Sequence, residues 1–242
     1  MPEDKADSKS SKPAQNRRPS KPRYSKKAAD APRKAKSNSA PVESIVGKNL
    51  ANISPEEAYD SLKDMIKNRS VFEFDTVLPS GQITTHYLDL KETLLSAQGS
   101  YLASLLILNN LRDDIHAIGG AVDKVYSLGP CAAQLALFKE TEIDNFLVRG
   151  ATDARRRGHS RWIEGPLKPG SKVCIIQDEV IDGTKVIEII RRVQEEADAQ
   201  IVQVIAIVDR LDGAKQRLQE YGVDYTAIYT MHDLVTNSAA MV

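Results

Sequence analysis

KVCIIQDEVIDGTKVIEIIRRVQEEA, residues 172–197, is the stretch on which the reading turns. It starts with four apolar residues, Val173, Cys174, Ile175 and Ile176, behind a Pro169-Gly170 turn. A short, β-branched run bounded by such a turn predicts a buried strand. A polar knot follows at 177–184, and then the period becomes helical. Val186, Ile189, Ile190 and Val193 share one face, while Glu188, Arg191, Arg192 and Glu195 lie largely off it. The pattern therefore places acids at the end of a buried strand and a Gly-Thr loop at the start of a helix. Backbone N–H groups at a helix N-terminus lack intrahelical partners and carry partial positive charge, so such a loop suits a phosphate.

The residues from Val173 to Lys185 resemble the diphosphosugar-binding motif of type I phosphoribosyltransferases. In that family a strand ends in two acids, followed by two apolar residues and a Thr/Gly loop. The resemblance implies that the acids hold the ribose hydroxyls of phosphoribosyl pyrophosphate (PRPP) and that the loop cradles its 5′-phosphate. Two registers compete. Without a gap the acidic pair falls on Gln177-Asp178 and Ile181 takes a place where Thr is usual. Shifted by one residue, the pair is Asp178-Glu179, at the cost of an extra strand residue. The second is preferred, because adjacent acids at a strand end serve no obvious packing purpose. It assigns Asp178, Glu179, Asp182, Gly183, Thr184 and Lys185 to PRPP. Read from the residues alone, the stretch is equally a strand-to-helix turn with solvated charges.

A chain of 242 residues with 41% hydrophobic residues has material for a core. No apolar run reaches the length of a membrane span, and the N-terminus has no secretory apolar segment. Cys131 and Cys174 lie in apolar contexts and read as reduced, buried thiols of a cytoplasmic protein. The four histidines show no metal-ligand spacing. The formal net charge of zero hides an asymmetry. Residues 1–40 carry 12 Lys and Arg against 4 Asp and Glu, leaving 21 basic and 29 acidic residues in the remainder. Residues 1–40 also lack almost all aliphatic side chains, so they read as a disordered basic arm. A solubilising tail is favoured over a nucleic-acid contact, since Tyr24 is the arm's only aromatic residue.

Residues 41–110 read as N-terminal helices and a hood segment. Ser54-Pro55-Glu56-Glu57 starts a helix. Ser80-Gly81-Gln82-Ile83-Thr84-Thr85-His86-Tyr87-Leu88-Asp89-Leu90-Lys91 resembles the N-terminal segment of orotate phosphoribosyltransferases, with Gln82-Ile83 where many members place a Lys. The resemblance implies a contact from Tyr87 to the base.

Residues 111–242 read as the α/β core. Residues 115–118 predict a strand that ends at Gly119-Gly120, and a helix is expected over 131–138. Tyr126-Ser127 stands where some family members have Tyr-Lys, in a loop that the resemblance places near pyrophosphate, and Tyr126 is assigned to the substrate. Arg149 to Trp162, RGATDARRRGHSRW, holds five arginines and two glycines without an apolar period. Arg suits phosphate because its planar fork makes bidentate, charge-assisted bonds. Orotate phosphoribosyltransferases have a loop here that ends in Ile/Val-Glu-Gly, matched by Ile163-Glu164-Gly165. Counting back places Arg157 at the family's loop His and Arg155 at its catalytic Lys, with Arg149 as the leading Arg if two residues are inserted. Asp209-Arg210, after the apolar run at 201–208, resembles the family's Val-Asp-Arg, which implies that Arg210 meets the base.

From Ile115 onward strands and helices alternate, which argues a mostly parallel sheet flanked by helices, with ligand beyond the carboxyl ends of the strands. The resemblance spans residues 70–234 and implies transfer of ribose 5-phosphate from PRPP to orotate. Mg²⁺ would be carried by PRPP, with no direct protein ligand, and the chain would form a homodimer. Two alternatives stay open: a non-catalytic homologue that binds PRPP or a nucleotide, and a phosphoribosyltransferase for another base.

Overall fold

The computed structural model describes residues 52–77, 83–122, 127–150 and 161–235. The basic arm, Gln82, Tyr126, Arg155 and Arg157 lie outside them. The chain opens with helix α1 (Pro55–Arg69), capped by the Ser54 hydroxyl, which accepts from the Glu57 N–H at 3.1 Å. Strands β1 (Val71–Val77) and β2 (Ile83–Leu88) pair antiparallel as a separate two-stranded sheet. Helices α2 (Lys91–Leu94) and α3 (Ala97–Asn109) follow. The remaining elements alternate: β3 (Ala117–Ala121), α4 (Leu128–Phe138), β4 (Asp144–Val148), β5 (Ile163–Glu164) and β6 (Lys172–Val180), then α5 (Thr184–Ala197), β7 (Gln200–Asp209), α6 (Ala214–Glu220), β8 (Asp224–Thr230) and α7 (Met231–Val235).

The main sheet has the order β5-β4-β3-β6-β7-β8. Every neighbouring pair is parallel except β4 with β5. The mostly parallel α/β architecture expected from the alternation is therefore present. β6 lies near its centre, and the side chains of 173–176 are all fully buried. Val173 and Ile175 join one apolar cluster with Val186, Ile190 and Val193 of α5. Cys174 and Ile176 face the other, with residues of α1, α3 and α4. Strand alternation thus explains why the run is continuous rather than alternating: both faces of a parallel sheet are covered. Tyr229 of β8 closes the second cluster against α1, its hydroxyl donating to the Tyr59 carbonyl at 2.6 Å and the two rings 4.6 Å apart.

Three boundaries differ from the sequence expectation. Gly119 and Gly120 do not end β3 but lie inside it. Gly119 is needed there because the neighbouring strand approaches closely: a Cβ on it would stand 2.4 Å from the Phe146 carbonyl oxygen. The polar residues Gln177 to Glu179 continue β6, since β7 pairs with that strand as far as Val180↔Asp209. α4 also begins earlier, at Leu128 rather than Cys131.

Burial pushes the Cys174 thiol well above its ordinary range, while Cys131 is half-buried. Since the thiolate is the reactive form, Ellman's reagent is expected to modify Cys131 first. Cys174 should react only when denaturant is added. Rapid modification of both in the folded protein would contradict the burial.

Candidate active site

β3, β4, β6 and β7 are parallel, so their carboxyl ends open on one edge of the sheet. That edge brings together Arg149, Asp178, Glu179, the 181–185 turn and Arg210, each predicted from sequence. Tyr87 is instead on β2 of the separate hairpin, 42% exposed, with its ring 6.3 Å from that of Phe72.

Asp178 is buried, and its Oδ1 accepts from the Glu179 N–H at 2.7 Å. Glu179 is half-buried and forms an ion pair with Arg210 at 3.5 Å. The two carboxylates thus have different surroundings: one is held by backbone, the other by a guanidinium. Arg210 is itself fixed by its own N–H, which donates to the Val180 carbonyl at 2.8 Å. Behind it, buried Asp209 accepts from the Leu211 N–H at 2.7 Å, and Leu211 takes a left-handed φ of 64°. Burial first, and then the Asp209 carboxylate, push the Tyr225 phenol upward, so it stays neutral.

The turn after β6 is built around Gly183, whose φ of 80° lies in the left-handed region that a side chain disfavours. This lets α5 begin at Thr184. Asp182 closes the turn, its carboxylate accepting from the Thr184 N–H at 3.0 Å and the Thr184 hydroxyl at 2.7 Å. Arg217 reaches in from α6 to Asp182 Oδ2 at 2.7 Å and to the Thr184 oxygen at 3.0 Å. Those bonds, Thr184 first, hold the Asp182 carboxyl below the usual carboxylate range. The outcome is a preformed turn at a helix N-terminus, a place that suits an anion, with the Thr184 amide already taken up by Asp182.

Arg149, at the end of β4, pairs with Glu164. Its N–H donates to the Trp162 carbonyl at 2.8 Å, so the two ends of the 149–162 connection meet. Gln177 is buried beside Asp178 along β6, and its Nε2 has no hydrogen-bond partner among the described residues. Sequence reasoning had not singled out Arg217. A lone Arg on an amphipathic helix carries no signal of a partner 35 residues away.

A Rhodopseudomonas palustris protein described as an orotate phosphoribosyltransferase is 32% identical over 173 residues, 69% of this chain and 91% of the relative. A Synechocystis protein of the same description is 28% identical over 174 residues, 72% of this chain and 86% of that one. Among solved structures, a phosphoribosyltransferase from Corynebacterium diphtheriae superposes with a TM-score of 0.63 at 26% identity, covering 74% of this chain and 99% of its own. No family model matches. With an edge of acids, arginines and a helix-opening glycine turn on a mostly parallel sheet, and a relative at that identity covered over nearly its whole length, the chain belongs to the orotate phosphoribosyltransferase family.

Proposed function

We propose that this protein transfers the 5-phosphoribosyl group of PRPP to orotate, giving orotidine 5′-monophosphate and pyrophosphate in pyrimidine biosynthesis. The observation that carries the reading is the junction of β6 with α5. There Asp178 and Glu179 stand at the strand end and Gly183-Thr184 opens the helix. The reaction breaks the bond from the anomeric carbon to the pyrophosphate oxygen and forms one to a ring nitrogen of orotate, which gives up its proton. Departure of pyrophosphate builds positive charge on the ribose. Asp178 and Glu179 stabilise that charge, while the amides opening α5, with Thr184 and Lys185, hold the 5′-phosphate. Arg149, Arg155 and Arg157 would offset the charge leaving with pyrophosphate. Arg155 acts there as a fixed cation, since a guanidinium does not readily give up a proton.

Arg210 is the candidate for the base. Its guanidinium fork matches a carboxylate such as that of orotate, and it would exchange its contact with Glu179 for one to the substrate. Tyr87 and Tyr126 complete the proposed base side. Mg²⁺ would arrive on the diphosphate, neutralising its charge, with no direct protein ligand, while the carboxylates of Asp178 and Glu179 would meet the ribose hydroxyls. In this reading the protein is a cytoplasmic homodimer; among the described residues no helix is long and apolar enough to cross a membrane.

The test is incubation with PRPP, Mg²⁺ and a panel of bases, with pyrophosphate release measured. Release with orotate alone is expected. Release with another base only would move the substrate assignment. PRPP binding without release would favour the non-catalytic reading, for which the Glu179–Arg210 pair is the observation, because it already occupies two of the proposed site residues. Arg155→Ala is expected to lower turnover by about tenfold or more with little change in melting temperature. Unchanged turnover would remove Arg155 from the mechanism.

A further inference from the structure

Helix α5 carries Glu188, Arg192 and Glu196 at four-residue spacing, which places them along one face. Glu188 pairs with Arg192 and orients its guanidinium. Arg192 Nη1 donates to the Arg149 carbonyl at 3.0 Å, and the Trp162 ring stacks on the same guanidinium at 4.4 Å. One turn further, the Glu196 carboxylate accepts from the Trp162 N–H at 2.6 Å and the Ile163 N–H at 3.1 Å. The arginine-rich connection thus leaves the sheet at Arg149 and returns at Trp162, and both points are held by one helix.

These contacts are more than packing requires. β5 has two residues, paired only as Leu147↔Glu164 and Val148↔Ile163, so its ladder alone fixes the returning chain weakly. A carboxylate capping two successive amides fixes its direction, and a stacked guanidinium fixes its depth. The same helix begins at the Gly183-Thr184 turn, about 12 Å from Arg192 along the axis. The turn and both ends of the connection therefore share one rigid rod.

We propose that Arg192 and Glu196 are positioning residues that register Arg149 and Trp162, the two points where the arginine-rich connection meets the sheet, against the phosphate turn through α5. The inference rests on the phosphoribosyl-transfer reading for its kinetic consequence, but not for its structural one. A displacement of about an ångström of a charge-stabilising group costs up to about a hundredfold in rate.

The experiment compares Glu196→Ala, Glu196→Gln, Arg192→Ala and Arg192→Lys in the full-length chain. Steady-state kinetics with PRPP and orotate are measured alongside emission from Trp162, the single tryptophan. Glu196→Ala and Arg192→Ala should lower kcat about tenfold or more, with KM for orotate and melting temperature nearly unchanged. Acrylamide should quench Trp162 more readily in both. Glu196→Gln keeps an oxygen acceptor and should recover most of the loss. Arg192→Lys keeps a donor but no planar face, and should recover less. Unchanged kcat in both alanine variants, or a kcat loss matched by loss of folded protein, overturns the proposal. If the wild-type chain forms no product, the transfer reading fails separately. Trp162 quenching then decides: an increase in both alanine variants supports the clamp, and no increase overturns it.

Discussion

Asp178→Asn is expected to lower turnover by about a hundredfold or more while leaving the protein folded. Asparagine keeps an oxygen in the place of Oδ1, so the 2.7 Å bond from the Glu179 N–H survives and only the charge is lost. Asp178 belongs to the acidic pair in either register of the motif, so this result does not depend on which register holds. Glu179→Gln distinguishes them. If the pair is Asp178-Glu179, both substitutions weaken Mg²⁺-dependent PRPP binding in calorimetric titration. If it is Gln177-Asp178, Glu179→Gln changes affinity little, and its effect is confined to freeing Arg210 from its 3.5 Å ion pair. Unaltered affinity in both variants would show that the end of β6 is not the ribose-phosphate site, and the enzyme reading would fall with it.

Gly119→Ala should be the most damaging small substitution in the sheet, costing about 3 kcal/mol and lowering the melting temperature by roughly 10 °C. The added methyl would lie 2.4 Å from the Phe146 carbonyl oxygen and 2.6 Å from its ring. Neither neighbour can yield easily. The carbonyl belongs to β4, whose pairing with β3 runs through Gly119↔Phe146 itself, and the ring is almost fully buried. Thermal denaturation of the variant is the check, and a loss below about 1 kcal/mol would mean that β4 shifts more freely than its pairing implies.

The β6–α5 unit was legible in sequence because its signals are local. An apolar run, a glycine and a change of period lie within 26 consecutive residues. The edge that gathers Arg149, Asp178 and Arg210 was legible for a related reason, since alternating strands and helices force the strand ends to one side. What escaped depends on partners distant along the chain. Gln177 to Glu179 look like loop residues, and only the adjacent strand β7 keeps them extended. β5 is two residues long and has no periodicity to read. Arg192 and Glu196 resemble any solvated helix face, and their meaning comes from a tryptophan much earlier in the chain, just before β5. Glycine at 119 was visible, but as a loop marker; the demand for it comes from Phe146, which no local window contains.

The contact between Tyr59 and Tyr229 spans 170 residues and has a consequence for how the chain is made. Tyr59 of α1 leaves the ribosome 170 residues ahead of Tyr229 of β8. Until β8 is synthesised, the tyrosine that covers this part of α1 does not exist in the nascent chain. At synthesis rates of about 5–20 residues per second, α1 therefore waits on the order of ten seconds for that cover. Closing so long a loop adds entropy that local helix contacts do not incur. Synthesis of β8, rather than of the elements that precede it, then sets when this face of α1 is sealed, and a polypeptide stalled before β8 would present it to chaperones.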